Sequence, residues 1–100
     1  MADARWEDLV DRSVDGTVTR GTMFGCPGLR TGRRFLAIWW HEQLVVKLPA
    51  DRLQELVAAG RAEPFEPMEG RRMNGWAVVQ GTAEWEPLVG EARAWVESQQ

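Results

Sequence analysis

The most constraining feature of this sequence is a pair of short apolar segments in its middle. Phe35 to Trp40 and Leu44 to Leu48 are rich in aromatic and branched residues, and only His41-Glu42-Gln43 separates them. Apolar runs this short are typical of strands and cannot form a membrane-spanning helix. A connection of this length is typical of a hairpin. We therefore predict two adjacent antiparallel strands at the centre of a sheet.

The first of these strands is apolar on both faces. Strict alternation predicts two groups of side chains: Phe35, Ala37 and Trp39 on one face, and Leu36, Ile38 and Trp40 on the other. One face is expected to meet helices. The other face needs a cover, which is expected from residues 61–75 of the same chain, from a partner or second copy docked on the strand, or from a ligand. Lys47 is predicted to lie beside this outer face, where a cation near aromatic rings orients an acidic group.

Helical periodicity recurs in three other parts of the chain. Apolar residues at three- and four-residue steps predict helices over 3–14, 51–59 and 84–98. Leu53, Leu56 and Val57 are expected on the inner face of the second helix. These amphipathic patterns predict helices that lie against a sheet.

The remaining strands are predicted from branched and apolar residues. Residues 17–24 and 76–80 are expected to form strands, with a further short strand near 64–67 or 70–73. The glycines and the proline of residues 25–33 predict a loop. The fold class is therefore a two-layer α+β domain over residues 1–100, with helices on one face of an antiparallel sheet in the order α-β(3)-α-β(2)-α.

Composition excludes several classes of function. The chain has 100 residues, of which 44% are hydrophobic, and it has only one cysteine and one histidine. These counts exclude a disulfide framework and the zinc and metal sites built from several cysteines or histidines, so no cofactor is expected. No apolar signal region begins the sequence, which predicts a cytoplasmic protein without a membrane partner.

Positive charge is concentrated in one stretch. Between Gly16 and His41 the sequence carries no acidic residue and four cations, Arg20, Arg30, Arg33 and Arg34. They either decorate a solvated loop or form a basic surface that binds nucleic acid, with help from Arg71 and Arg72. The net charge of −3 opposes the nucleic-acid interpretation, which we keep as the alternative function.

Catalytic patterns are nearly absent from the sequence. Cys26 and His41 are the only thiol and imidazole. Cys26 is placed in the loop before the strand that begins at Phe35, and His41 at the far end of that strand, so the two are expected to lie roughly 20 Å apart. We therefore do not expect an enzyme, and a small-molecule-binding protein has equally little support.

Several of these residues also occur in a characteristic order. The order is Met23-Phe24-Gly25, Gly28-Leu29, Leu44 to Pro49, Gly60, Pro64-Phe65, Met73 and Gly75-Trp76. It resembles the N-terminal domain of the TfoX/Sxy family, bacterial proteins named for competence regulators. The resemblance runs from about Met23 to Val79.

The resemblance carries its own expectations. It implies an α-β(3)-α-β(2)-α fold similar to secretion-chaperone-like domains, with no known catalytic activity. The regulators of this family act in transcription alongside another regulator, which implies a protein-interaction role. The resemblance gives an architectural role to Met23, Phe24, Gly25, Gly28, Met73, Gly75 and Trp76.

Together these arguments predict a small non-catalytic interaction module. Its expected partners are another protein, such as a transcription regulator, and a second copy of the chain. The candidate interaction surface consists of six residues: Trp39, Trp40, Lys47, Arg30, Arg33 and Arg34.

Overall fold

The described residues form three helices and six strands. The computed structural model describes residues 4–23, 25–68, 70, 73–81 and 85–99. The helices are α1 (Ala4–Ser13), α2 (Ala50–Ala58) and α3 (Trp85–Ser98). The strands are β1 (Val18–Met23), β2 (Cys26–Thr31), β3 (Arg34–Trp40), β4 (Gln43–Lys47), β5 (Ala62–Pro64) and β6 (Trp76–Val79).

All six strands join one antiparallel sheet in the order β1-β2-β3-β4-β6-β5. β1 and β5 are therefore the two edges. The helices contribute their buried residues to a single core on one side of the sheet. The predicted α+β class is confirmed, with four strands rather than three before α2.

The extra strand is β2, where the sequence predicts a loop. That prediction is wrong because the glycines serve packing across strands. Gly21 of β1 lies opposite Gly28 of β2, and the ring of Phe35 lies over both. A Cβ atom at Gly21 would stand 2.9 Å from the Phe35 ring, and one at Gly28 would stand 3.0 Å from it. An aromatic ring over strand glycines buries a surface that has no side chains of its own.

A bulge in β3 changes which face its residues occupy. Leu29 pairs with Ala37, but Arg30 pairs with Phe35, so Leu36 is an extra residue opposite β2. Leu36 and Ala37 consequently both join the helix-side core, whereas Phe35 packs on the outer face. The predicted alternation is therefore wrong at Phe35 and Leu36, and it holds from Ala37 onward.

The helix-side core is organised around three tryptophans. The rings of Trp6 and Trp39 stack with centroids 5.7 Å apart, and Trp85 meets Trp39 edge-on at 5.3 Å. The guanidinium of Arg5 lies 5.8 Å from the Trp39 ring and 5.7 Å from the Trp85 ring. These contacts join α1, β3 and α3 around the centre of the sheet.

The outer face has a smaller cluster covered by the same chain. Ile38 and Val45 of the sheet pack there with Phe65, Trp76 and Val78. The N–H of Phe65 donates to the oxygen of Trp76 at 3.3 Å. Of the expected covers, the structure has the internal one, formed by the segment that follows β5.

Asp15 fastens the start of β1 to α3. Its Oδ1 accepts the N–H groups of Thr17 at 2.7 Å and Val18 at 2.8 Å, and its Oδ2 accepts Nη1 of Arg93 at 2.9 Å. The hydrogen bond from Val18, then that from Thr17, lowers the pKa of the Asp15 carboxyl, and Arg93 adds to this effect.

The predicted hairpin between β3 and β4 is present and very tight. Trp40 pairs with Gln43, so His41 and Glu42 alone form the turn. Both have positive φ angles, 48° and 65°. Two central residues in this region match the twist of the strands, although glycine or asparagine is the usual choice there.

Candidate interaction site

The structure separates the two tryptophans of the predicted surface. Trp39 is only 7% exposed and belongs to the helix-side core. Trp40 is half-buried on the outer face, where its ring meets Phe65 edge-on at 5.5 Å. Trp39 therefore offers no surface to a partner, and Trp40 offers only part of its ring.

The arginines of the β2–β3 hairpin point in different directions. Arg30, Arg33 and Arg34 are all exposed. Residues paired across antiparallel strands share a face, so Arg30 lies on the outer face with Phe35. Arg34 pairs with buried Thr31, which lies toward α3. The three cations therefore do not all lie on one face of the sheet.

Arg20 is engaged elsewhere. Its Nη1 and Nη2 donate to Oε1 and Oε2 of Glu7 at 3.2 and 3.0 Å, which ties β1 to α1. Both oxygens of that carboxylate are used, in a bidentate pair of the strong kind. The four arginines of the acid-free stretch therefore do not act as one basic surface. Arg71 and Arg72 lie outside the residues that the structure describes.

Cys26 and His41 lie closer together than the sequence predicts. Because β2 runs back along β3, the pairing of Gly28 with Ile38 leads Cys26 toward the Trp40 end of β3. The expected separation of roughly 20 Å, based on a loop before the strand, is therefore wrong. Among the described residues, no group of three His, Cys, Asp or Glu side chains is placed to hold a metal ion.

The residues of the recognised motif lie in two places. Gly25, at φ 74°, is in the β1–β2 turn beside Met23, and Gly28 lies beneath Phe35. Met73 and Trp76 pack in the outer cluster, and Gly75 between them has φ 87°. Phe24 lies outside the described part of the chain.

A groove of about 450 Å³ lies between α2 and the segment that leads into β6. We name it the α2 groove. Its apolar lining includes Leu53, Val57, Pro64, Met73 and Trp76. This volume is in the range of sites that receive a ligand or an inserted side chain.

The α2 groove exists because the apolar side of α2 is divided. Leu56 is completely buried in the helix-side core, whereas Leu53 is half-buried and Val57 is 37% exposed. The expectation that all three face inward is wrong for Val57. The helix carries more apolar surface than the sheet can cover, and the surplus lines the groove.

Main-chain hydrogen bonds fix the opposite wall. The N–H of Leu48, just after β4, donates to the oxygen of Gly75 at 2.9 Å. The N–H of Trp76 donates to the oxygen of Met73 at 3.3 Å, which closes a turn around Gly75. This wall is held by backbone contacts to the end of β4.

α2 is held in place from the other side by an ion pair. Arg52 donates from Nε and Nη2 to the two oxygens of Glu91 on α3, at 2.8 and 3.1 Å. The hydrogen bond with Glu91 raises the pKa of the Arg52 guanidinium. The groove therefore has two braced walls.

Lys47 places a positive charge beside Trp76, one of the residues that line the groove. It pairs with Trp76 across β4 and β6, and its Nζ lies 5.8 Å from the centre of the Trp76 ring. The side chain is half-buried, and none of the described carboxylates forms an ion pair with it. An apolar groove with such a cation suits an apolar group that has a carboxylate nearby.

A family model described as the TfoX N-terminal domain matches residues 8–97. The chain belongs to this family. The TfoX N-terminal match includes every strand, all of α2 and the whole groove, and it confirms the resemblance drawn from the motif. No curated protein matches the chain. Of the helices described in this TfoX N-terminal domain, none is long and apolar enough to cross a membrane.

The sequence points to Lys47 and Trp76 but not to the groove they adjoin. Pro64 and Met73 lie in a stretch interrupted by prolines and glycines, which has no periodic pattern. Leu53, Leu56 and Val57 follow the ordinary three- and four-residue spacing of an amphipathic helix, so the helix pattern carries no signal of the groove either.

Proposed function

We propose that this TfoX N-terminal domain is a non-catalytic protein-interaction module that takes part in transcription regulation. Its α2 groove receives an apolar side chain from a partner protein, and Lys47 contacts a neighbouring carboxylate of that partner. The partner class is the one implied by the family resemblance, another transcription regulator. The single observation that carries the proposal is the open apolar groove between two braced walls.

The groove supports this function because the rest of the domain leaves its apolar surface uncovered. Val57 stays 37% exposed although Leu56, its neighbour, is fully buried. Interfaces gain most of their affinity where a few anchors enter well-packed apolar pockets. A leucine- or phenylalanine-sized anchor fits about 450 Å³.

Charge at the rim supports an acidic partner. The Lys47 ammonium lies beside the Trp76 ring, and none of the described carboxylates forms an ion pair with it. A partner carboxylate would meet a partly desolvated cation, where an ion pair is stronger than at a fully exposed site. The same charge would exclude partners that present a cation at that point.

Nucleic-acid binding is the second candidate, favoured by Arg30, Arg33 and Arg34, which are exposed and form no ion pair with the described residues. Arg20 is taken by Glu7, and the chain carries a net charge of −3. Three separated arginines give weaker phosphate binding than a continuous basic face.

Site-directed photo-crosslinking tests the protein-interaction proposal. A benzophenone amino acid is introduced at Val57, in the groove, and as a matched control at Ala94, which is exposed on α3. We expect one DNA-binding regulator to be captured from Val57 in the cells of origin, and not from Ala94. With that regulator purified, Val57→Asp and Lys47→Glu should each weaken binding at least about tenfold.

Two results would overturn the proposal. The first is equal capture from Val57 and Ala94, which indicates no partner at the groove. The second is full affinity of Val57→Asp for the captured protein, which indicates binding elsewhere. DNA binding that weakens steeply with salt and is lost in Arg30→Glu would instead establish the nucleic-acid function.

A further inference from the structure

β1 is an edge strand, and its backbone groups point alternately toward β2 and away from it. Val18 turns both of its groups away from β2. Its N–H donates to Oδ1 of Asp15 at 2.8 Å, and its oxygen accepts the N–H of Asp15 at 3.1 Å. Arg20 and Thr22 share the alternation phase of Val18, so their backbone groups also point outward.

The geometry of the β1–β2 hairpin independently identifies the same residues of β1 as having outward backbone groups. Met23 and Cys26 close a two-residue turn, so their backbone groups face each other. Gly21 and Thr19 have the same phase as Met23, so their N–H and C=O groups form hydrogen bonds with β2. The N–H and C=O of Arg20 and Thr22 have no partner among the residues that the structure describes.

We propose that this edge pairs with β1 of a second copy of the chain, about a two-fold axis at Gly21. Antiparallel pairing would then place Arg20 opposite Thr22 of the second copy, and Thr22 opposite its Arg20. Each outward N–H meets an outward C=O, so all the unpaired groups of both edges are satisfied. The two sheets become one continuous sheet with all helices on the same face.

Other two-fold registers would leave more of the outward backbone groups without a hydrogen-bond partner. Centring the axis on Arg20 would place two arginines directly opposite each other, which is destabilising. It would also place Thr22 opposite Val18, whose backbone groups Asp15 already holds. The Asp15 turn therefore selects the register centred on Gly21.

The outer face near the axis suits close approach of a second copy. Gly21 has no side chain, and the half-buried Phe35 ring lies over it. In the dimer the two Phe35 rings flank the axis and lose contact with water, which adds apolar burial to the backbone hydrogen bonds. The charge of Arg20 is already compensated by Glu7 on the other face.

The opposite edge of the sheet is protected. β5 has only three residues, and they include Pro64 and exposed Glu63. Short edges with a proline and a charge resist strand addition. β1 has six residues with no proline, so self-association is expected at β1 only.

Sedimentation and light scattering from about 10 to about 500 µM test the dimer. An interface of one strand pair is small, so we expect a dissociation constant on the order of 10–100 µM. The mass should rise from 11.3 kDa toward twice that value. Thr22→Pro should stay monomeric, because proline removes an outward N–H without taking a donor from the β1–β2 ladder. Thr22→Val, which keeps that N–H, should dimerise normally.

Amide hydrogen exchange tests the proposed dimer without any substitution. The N–H groups of Arg20 and Thr22 should become protected as concentration rises, whereas those of Thr19 and Gly21 should be protected at every concentration. A chain that stays monomeric at about 500 µM overturns the proposal. So does a dimer in which Arg20 and Thr22 exchange as fast as in the monomer.

Discussion

The two faces of the sheet are covered in different ways. On one face, three helices bury a continuous core around Trp6, Trp39 and Trp85. On the other, one irregular segment covers a cluster of five buried residues, and the Phe35 ring covers a pair of glycines. The comparison indicates that stability comes mainly from the helix face. The thinner cover of the outer face leaves Phe35 and Trp40 only half-buried.

The largest expected effect contrasts adjacent tryptophans on the two faces. Trp39→Ala should lower the free energy of unfolding by about 3–5 kcal/mol, because it leaves a cavity between Trp6 and Trp85. Trp40→Ala, at a half-buried site, should cost only about 1–2 kcal/mol. Urea denaturation measures both. Equal losses would contradict the division of roles between the faces.

A smaller effect distinguishes the two glycines beneath Phe35. A Cβ at Gly28 would lie 2.9 Å from the backbone oxygen of Ala37, which cannot move aside, so Gly28→Ala should cost about 2–3 kcal/mol. At Gly21 the close atoms belong to the side chains of Phe35 and Arg30, so Gly21→Ala should cost about 1 kcal/mol.

A double-mutant cycle with Phe35→Leu provides the control for this comparison. The Phe35→Leu substitution should remove most of the loss of stability caused by Gly21→Ala and little of that caused by Gly28→Ala, as measured by thermal unfolding. Equal relief at both positions would show that the aromatic ring, rather than the backbone of β3, determines the spacing at Gly28.

The smallest effect concerns acid stability on the helix face. Because the folded pKa of Asp15 lies below its ordinary value of 3.8, the carboxylate stabilises the fold above that value. This stabilisation is lost as pH falls through the lower, folded pKa. Asp15→Asn should therefore show a shallower loss of stability below about pH 4 in urea denaturation. Asp11→Asn, at an exposed position on α1, should behave like the unmodified chain.

Most of the elements follow from local patterns in the sequence. The three helices and β1, β3, β4 and β6 agree with periodicity to within a few residues. β2 does not, since Pro27 and Gly28 are ordinary turn signals. The reason for glycine at position 28 is a ring from another strand, and no local pattern contains that information.

The candidate site was less accessible to prediction than the fold. Lys47 and Trp76 stand out as a lone lysine and a motif residue, but their pairing depends on the order of β4 and β6 in the sheet. The bulge at Leu36 depends likewise on the register with β2. Both are properties of contacts distant in sequence, which composition and spacing do not encode.

The position of Lys47 has a practical consequence for chemical labelling. It is the only lysine in the chain, so apart from the terminal α-amino group its Nζ is the only aliphatic amine. An amine-reactive dye attached there would stand beside the Trp76 indole, 5.8 Å away before modification. Acylation would remove the charge that we propose to contact the partner's carboxylate, so a chain labelled at Lys47 should bind that partner more weakly than the unlabelled chain.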